Sequence, residues 1–266
     1  MASMLIAQLS DPHVYPPQTG TGGRVRMGGV DTAERLRRAV AHVNALPQAP
    51  DIVLVTGDLG YDGTDEEYAL LRPILDRLDA PYFVIPGNHD ERGAFRRAFA
   101  DHAYLPAEGE FLHYVLEDYP LRLIGLDTVR PGHLGGAMCR ERRAWLEARL
   151  DEAPERPTII FMHHPPFAIG MLMMDAMRCQ GGRKMGEIVA RHKQIERILC
   201  GHVHRPTHIR WCGTTASTAP STAAQLGLDF GPLRRPRWTG EPPACLLHLW
   251  RKRTGLITHT ELIGEY

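Results

Sequence analysis

Short apolar runs alternate along the chain with longer segments in which apolar residues recur every three or four positions. The short runs predict buried strands, and the longer segments predict amphipathic helices. Their alternation is typical of an α/β protein. Strands are predicted at 4–9, 52–56, 82–85, 121–126, 158–162 and 197–200, and later ones at 208–212, 245–250 and 256–263.

Two helix starts carry the sequence pattern of a capping box, in which a short polar residue is followed three positions later by Glu. Asp31 and Glu34 form the first pair, and Thr64 and Glu67 form the second. Pro73 lies inside the second apolar stripe and should kink or divide that helix, because proline lacks a backbone donor. Further helices are predicted at 140–150 and 185–192.

The 266 residues contain no internal repeat and no linker that would separate two domains. They are therefore interpreted as one domain spanning 1–266, a length that can bury a substantial core. The least regular part is the stretch 213–243, which is rich in Ser, Thr, Pro and Gly. That composition predicts a long irregular excursion.

The composition narrows the class of protein. Lys and Arg together number 31, as do Asp and Glu, so a neutral chain offers no bulk attraction for nucleic acid or an anionic membrane. No apolar run reaches the roughly 20 residues that a membrane span needs. Five cysteines without a C-x-x-C pair favour a reducing compartment, and residues 1–10 lack a signal peptide's layout, so a cytoplasmic location is predicted.

Histidine occurs 14 times, and many copies lie in short polar motifs directly after predicted strands. Taken alone, each motif is compatible with an ordinary polar turn or with a buried, hydrogen-bonded histidine. It is improbable that five ordinary turns would all place such polar residues after strands by chance. The motifs instead indicate a common site, because strand ends are where α/β sheets collect ligands. The motifs are Asp11-Pro12-His13, Gly57-Asp58, Gly87-Asn88-His89-Asp90, His163-His164-Pro165-Pro166 and Gly201-His202-Val203-His204.

The residue types in these motifs suit metal ions. Imidazole, carboxylate and amide oxygen are ligands for Mn, Fe or Zn, and the motifs contain no thiolate. His202 and His204 are separated by one residue at a strand end, which is a moderately specific metal signal. The two oxygens of Asp58 could bridge two ions, and Gly201 permits a close approach of the backbone.

As an ordered set, the five motifs resemble those of the calcineurin-like metallophosphoesterase superfamily, in particular its bacterial cyclic-nucleotide phosphodiesterase and glycerophosphodiesterase branch. The resemblance spans Asp11 to His204. It implies a two-sheet β-sandwich flanked by α-helices, with a dinuclear metal site at the carboxyl ends of strands. A looser match follows at 219–222, in the sequence Ala-Pro-Ser-Thr.

The resemblance also implies roles for individual residues. His89 is expected to bind the phosphate and help the leaving oxygen depart, and Asp90 either holds the His89 ring or caps a turn. His164 is expected to support a ligand or to touch substrate. One metal is expected on Asp11, His13, Asp58 and His204, and the other on Asp58, Asn88, His163 and His202, with Asp58 bridging.

The activity implied is hydrolysis of small phosphodiesters, 3′,5′-cyclic nucleotides or glycerophosphodiesters, by a hydroxide that bridges two divalent ions. Mn and Fe are the expected metals, with Zn as an alternative. The charges of two divalent ions, two Asp carboxylates and one hydroxide sum to about one positive charge, which a phosphodiester monoanion neutralises. A phosphomonoesterase or nucleotidase and a nuclease stay open. A metal-free scaffold is disfavoured, because burying these polar groups without metal costs free energy.

Four methionines follow the fourth motif, at positions 171, 173, 174 and 177. Flexible thioethers could wall a substrate pocket. The preferred interpretation is a Met-rich core loop or a contact between subunits of a homo-oligomer.

Overall fold

A computed structural model describes residues 3–16, 26–231 and 237–264. The strands are β1 (Ser3–Leu9), β2 (Ile52–Thr56), β3 (Tyr82–Ile85), β4 (Tyr114–Leu116), β5 (Arg122–Leu126), β6 (Thr158–Met162), β7 (Ile195–Cys200), β8 (Thr207–Trp211), β9 (Thr214–Thr218), β10 (Gln225–Leu226), β11 (Trp238–Thr239), β12 (Ala244–Arg251) and β13 (Gly255–Leu262). The helices are α1 (Thr32–Asn44), α2 (Asp65–Leu75), α3 (Arg92–Ala98), α4 (Arg140–Asp151), α5 (Leu172–Ala176) and α6 (Gly182–Arg191), with a 3-10 turn at Met27–Gly29.

Two mixed sheets pack face to face, and their central strands are buried on both faces, one against the other sheet and one against helices. Their strand orders are β13-β12-β1-β2-β3 and β4-β5-β6-β7-β9-β8. Ile6, Leu54 and Phe161 belong to the core between the sheets. Helices α1, α2 and α3 cover the outer face of the first sheet, and α4 and α6 cover that of the second. The predicted two-sheet sandwich flanked by helices is confirmed.

Parallel pairing puts the functional strand ends at one edge. Strands β1, β2 and β3 run parallel, and so do β5, β6, β7 and β9. The carboxyl ends of parallel strands lie on the same side of a sheet. Side chains that follow β1, β2 and β3 in one sheet therefore face those that follow β6 and β7 in the other.

The first predicted capping box is only half formed. The Asp31 carboxylate accepts a hydrogen bond from the Glu34 backbone N–H at 2.9 Å. The Glu34 carboxylate turns instead to Arg37 and Arg38, at 3.3 and 3.1 Å. Asp31 still caps the N-terminus of α1. The Glu34 carboxylate instead forms ion pairs with arginines one turn along the same helix.

The second predicted capping box, at Thr64 and Glu67, is complete in both directions. Pro73 lies within α2, which continues through it and ends at Leu75. The proline therefore does not divide the helix as predicted, although the helix ends shortly after it.

The stretch 213–243 is more regular than predicted. Its first part forms β9, which lies between β7 and β8 in the six-stranded sheet. Farther along, β10 and β11 pair antiparallel, with Leu226 opposite Trp238. Residues 232–236 lie outside the described residues. The stretch contributes a strand to the sandwich and a small ribbon beside the site.

Two sequence expectations concern the environment of the protein. Within the described ranges, no helix is both long and apolar enough to cross a membrane. Each of the five cysteines is free.

Candidate metal centre

Polar side chains from five strand ends meet at one edge of the sandwich. The seven predicted ligands all come together here. Five of them belong to Asp/His groups whose ligand atoms lie within 4.8 Å of one another, and His202 belongs to a further group of histidines. Asn88 lines the same cavity. The seven are Asp11, His13, Asp58, Asn88, His163, His202 and His204. The grouping that the sequence predicts is therefore present in space.

One set of ligand atoms lies around His13 and His204. Their Nε2 atoms are 3.1 Å apart. His204 Nε2 lies 3.3 Å from an Asp11 carboxylate oxygen, and His13 Nε2 lies 3.4 Å from Oδ2 of Asp58. Two imidazoles and two carboxylates around one point are a suitable site for a divalent transition metal.

The second set shares Asp58. Oδ2 of Asp58 lies 3.3 Å from His163 Nε2, in addition to its contact with His13. Asn88 Oδ1, His163 Nε2 and His202 Nε2 are buried without a hydrogen-bond partner. Each such atom costs about 1–3 kcal/mol, which a cation would offset. The donors fit a second ion, and Asp58 lies between the two sets of ligand atoms.

Strained backbone is concentrated at these ligands. Among the described non-glycine residues, seven have positive φ, and five of the seven are predicted ligands. They are Asp11 (51°), His13 (43°), Asp58 (52°), His202 (70°) and His204 (53°). The left-handed region is unfavourable for residues with a Cβ. Several such strained residues close together are a feature of functional sites.

A glycine allows the turn after β7 to approach the turn after β1. A Cβ at Gly201 would lie 2.4 Å from Ser10 Oγ and 2.5 Å from the Thr56 carbonyl oxygen. These distances are too short for any side chain. The predicted need for close backbone approach at Gly201 is confirmed, and it brings the His202 N–H within 3.1 Å of the Asp11 carboxylate.

The two adjacent histidines after β6 differ in their hydrogen bonds. Nδ1 of His163 lies 2.8 Å from the Thr56 carbonyl oxygen, which leaves Nε2 free for a ligand. His164 uses both ring nitrogens, Nδ1 with Thr128 Oγ1 at 2.7 Å and Nε2 with the Leu134 carbonyl oxygen at 3.2 Å. The geometry favours His163 as the metal ligand and gives His164 a supporting role.

Burial and neighbouring charges together set the protonation of the site. Burial alone would raise the carboxyl pKa of Asp11 and of Asp58. At Asp11 the charges of His204 and His163, with the contact to His204, together outweigh burial and lower the pKa. At Asp58 the charges of His163, His89 and His13 together outweigh burial and hold the pKa well below its usual range. Burial lowers the pKa of His202 to about 3. Two ionised carboxylates and a neutral imidazole are the forms that bind metal.

His163 shows the reciprocal effect of its carboxylate neighbour. Burial alone would lower its pKa, but the charge of Asp58, whose Oδ2 lies 3.3 Å from Nε2, raises the pKa to about 9. The imidazole is thus stabilised as a cation beside Asp58, which again marks this point as one that attracts positive charge.

His89 lies at the edge of the centre, with a ring nitrogen within 4.8 Å of ligand atoms of His13 and Asp58. Its backbone N–H donates to Oδ1 of Asp58 at 2.9 Å, and its ring Nδ1 lies 2.5 Å from the Tyr61 carbonyl oxygen. The ring is half-buried and lines the same cavity as Asp58 and Asn88. With Nδ1 held by a carbonyl, Nε2 is the nitrogen available to a substrate.

Asp90 does not hold the His89 ring, which corrects one of its two predicted roles. Its carboxylate accepts from the Gly87 N–H at 2.8 Å, the Leu59 N–H at 3.1 Å and the Tyr68 hydroxyl at 2.8 Å. Burial, followed by the charge of Asp58, raises its pKa to about 6. Asp90 fixes the turns that carry Asp58 and Asn88, the structural role that was the alternative.

The 219–222 segment has a role that sequence reasoning left open. Ser221 Oγ donates to the Asp11 carbonyl oxygen at 2.8 Å, and the Thr222 N–H donates to the Ser10 carbonyl oxygen at 3.0 Å. The Ala224 carbonyl oxygen lies 2.8 Å from His204 Nδ1. The 219–222 segment therefore fixes the first ligand turn, and Ala224, just after it, holds the His204 ring.

Two residues missed by sequence reasoning support the ligands directly. Ser10 Oγ donates to the Asp11 carboxylate, and Thr56 Oγ1 donates to Ser10 Oγ at 2.8 Å. The Thr56 carbonyl oxygen is the partner of His163. The signal for Ser10 was its place between the first strand and Asp11, but its partner is visible only in the fold.

A cavity of about 150 Å³ opens onto the centre. Met173, Met174 and Met177 line it together with Leu226 and Trp238. The preferred interpretation of the methionines as a core or subunit contact is therefore incomplete: three of the four face the cavity, and Met171 is buried beside Met174 and Leu226.

Comparison with known proteins agrees with this geometry. Residues 4–206 match the sequence model of the calcineurin-like phosphoesterases. A probable glycerophosphodiester phosphodiesterase from Arcobacter nitrofigilis is 36% identical over 264 residues, which are 99% of this chain and 94% of that protein. A probable cyclic nucleotide phosphodiesterase from Rhodopseudomonas palustris is 37% identical over 212 residues, 77% of this chain and 75% of that protein.

A solved structure shares the fold at low sequence identity. A dimetal phosphatase from Danio rerio superposes with a TM-score of 0.68 over 98% of this chain and 99% of that chain, at 14% identity. The resemblance inferred from the five motifs is confirmed by these matches.

Proposed function

The chain belongs to the calcineurin-like phosphoesterase family, and on that basis we propose that it is a dinuclear metal-dependent hydrolase of small phosphodiesters, 3′,5′-cyclic nucleotides or glycerophosphodiesters. The observation that carries the proposal is the shared position of Asp58. One carboxylate oxygen lies within 3.4 Å of His13 and of His163, which belong to different ligand sets. Relatives named as phosphodiesterases of both kinds support the substrate class.

The donor set supports Mn or Fe as the metals, with Zn as an alternative, because it combines imidazole, carboxylate and amide oxygen without thiolate. Asp11, His13, Asp58 and His204 would hold one ion. Asp58, Asn88, His163 and His202 would hold the other. When bound, a pair of such ions lowers the pKa of a water between them and neutralises charge on a phosphate.

The charge of the site supports diesters over monoesters. The carboxylates of Asp11 and Asp58 offset two of the four positive charges of two divalent ions, and a hydroxide nucleophile offsets a third. A diester monoanion neutralises the remainder, whereas a monoester dianion exceeds it. Among the described residues, no Lys or Arg lines the cavity to balance that excess.

His89 supports the departure of the leaving alcohol. Its ring is held at Nδ1 by the Tyr61 carbonyl oxygen, so Nε2 is oriented by the protein rather than free to rotate. In its imidazolium form, a histidine in this position keeps Nδ1–H on the carbonyl and can transfer the Nε2 proton to the leaving oxygen. Asn88, its neighbour, points a buried amide oxygen without a partner into the same site.

A turnover panel tests the proposal. Cyclic nucleotides, glycerophosphodiesters and phosphomonoesters are assayed with protein loaded in turn with Mn, Fe and Zn after chelator treatment. We expect diesters to be hydrolysed fastest, and we expect no activity in the chelated protein until metal is restored. Asp58→Ala is the inactive control.

Two results would contradict the proposal. Monoesters turned over faster than every diester with each metal would make the chain a phosphomonoesterase. Full activity in exhaustively demetallated protein would remove the metal-based reaction altogether.

A further inference from the structure

The cavity above the metal centre has two chemically different sides. One side consists of the predicted ligands His13, Asp58, Asn88, His202 and His204, with His89 at its edge. On the other side, Met173, Met174, Met177, Leu226 and Trp238 form a surface here called the apolar wall, and Met27, Tyr61 and Leu134 complete the lining of the cavity. The polar side is occupied by groups that suit metals and phosphate, so the apolar wall is available for another part of the substrate.

Two segments that are far apart in sequence build the apolar wall. Helix α5 and the residue after it supply the methionines, and the β10–β11 ribbon supplies Leu226 opposite Trp238. Met174 and Leu226 are buried in one apolar cluster, to which Trp238 also belongs. The Trp238 ring lies 5.4 Å from the ring of His204, so the wall reaches the ligands themselves.

The wall carries no positive charge. Two arginines lie beside the cavity lining, Arg26 over the Tyr61 ring and Arg205 on the Leu226 carbonyl oxygen, and both are paired: Arg26 with Asp62 at 2.9 Å and Arg205 with Glu241 at 2.8 Å. A second anionic group on the substrate would find no free cation here among the described residues. A flat apolar group would find a large aromatic ring and flexible thioethers, both of which make favourable contacts with aromatic rings.

We propose that the apolar wall binds one ester substituent of the substrate and selects an aromatic substituent, such as a nucleobase, over a small polar one such as glycerol. This inference rests on the proposed phosphodiesterase activity and narrows its substrate class. The wall positions the substituent while the phosphate lies between the ligands and His89. Met173 and Trp238 are the specificity residues of that wall.

The test compares two inhibitors of equal charge that differ in one substituent. Methyl phenylphosphonate and methyl methylphosphonate are both monoanions that resemble a phosphodiester. Each is titrated against the Mn-loaded enzyme hydrolysing methyl nitrophenyl phosphate. We expect the inhibition constant of the phenyl compound to be lower by on the order of tenfold, because the wall removes its apolar surface from water.

Substitutions locate the preference. Met173→Gln and Trp238→Ala should each remove most of the difference between the two inhibitors. Leu172→Gln is the control, because Leu172 directly precedes Met173 but is exposed and does not line the cavity. This variant should keep the full difference between the two inhibition constants. Thermal unfolding of each variant shows whether it is folded, and Met177→Gln serves if either wall variant is not.

The outcomes separate the two proposals. Equal inhibition constants in the unaltered protein, or a phenyl preference that survives both wall substitutions, would overturn the role of the wall while leaving the phosphodiesterase intact. Failure of every metal to support hydrolysis of the diester would instead overturn the proposed function. If no metal supports hydrolysis, calorimetry still measures the binding of each phosphonate to the metal-loaded protein, and so the preference of the wall for the phenyl compound.

Discussion

The ring nitrogen Nδ1 of His163 lies 2.8 Å from the carbonyl oxygen of Thr56. His163 follows β6 of one sheet and Thr56 ends β2 of the other, so this hydrogen bond joins the two sheets at the metal centre. The same bond determines which ring nitrogen remains for a metal, because the neutral imidazole has one N–H and one acceptor. It therefore separates His163 from His164 in function.

The first prediction follows from that difference. His163→Gln should lower the metal content from two ions per chain to one and abolish activity. His164→Gln should keep both ions, with a loss of stability of about 1–2 kcal/mol from its altered hydrogen bonds. Elemental analysis and chemical denaturation check the pair. Loss of metal in His164→Gln with full retention in His163→Gln would reverse the assignment.

Asp58 should affect both ions, because Oδ2 lies between the two ligand sets. Asp58→Ala is expected to lose both metals, whereas His13→Ala mainly weakens one. Asp62→Ala, an exposed carboxylate in the same loop, is the matched control and should retain two. The measurement is metal content after dialysis, and two ions retained in Asp58→Ala would exclude the bridge.

His89→Ala should keep both metals and lose far more rate on an alkyl diester than on a nitrophenyl diester. A basic alkoxide needs a proton as it leaves, and general acid help is worth about 10²–10⁴-fold. Nitrophenolate leaves readily as an anion and gains little. The rates of both substrates and the metal content are compared with those of the unaltered enzyme. Equal losses on both substrates would reduce His89 to positioning the phosphate.

His248 predicts how stability depends on pH. Burial, followed by the charge of Arg197, lowers its pKa to about 3. Unfolding exposes an imidazole that takes up a proton below about 6.5. His248 therefore stabilises the fold above that pH, and this contribution is lost as the pH falls toward 3.

The test is the slope of unfolding free energy against pH between 6 and 4. His248→Gln should reduce that slope by up to about 1.4 kcal/mol per pH unit. His259→Gln, on the exposed face of β13, meets solvent before and after unfolding and should leave the slope unchanged. An identical slope in His248→Gln and the unaltered protein would show that His248 is not buried in its neutral form.

Much of the site could be predicted because each ligand is adjacent in sequence to a strand. Asp58 follows the apolar run of β2, and His202 follows that of β7. Parallel pairing then brings such neighbours together. The partners of Asp90 could not be predicted, because backbone N–H groups of Leu59 and Gly87 are supplied by turns whose shape depends on the fold.

Other strands and helices could not be predicted, because their sequences lack a clear local pattern of apolar and polar residues. Strand β9 is rich in Thr and Ser, and it is a strand because β7 and β8 pair with it on either side. Helix α3 has seven residues, too few for periodicity to be visible. The placement of Trp238 over the centre depends on a ribbon of two-residue strands, whose position is set by long-range packing.

The five ligand positions with left-handed backbone bear on how this sequence can evolve. At each of them, a change to glycine relieves on the order of 1 kcal/mol of backbone strain, while the ligand is lost. Selection for stability and selection for catalysis therefore act in opposite directions at the same codons. A lineage released from the need for hydrolysis would be expected to lose these residues early, and its fold would gain from the loss.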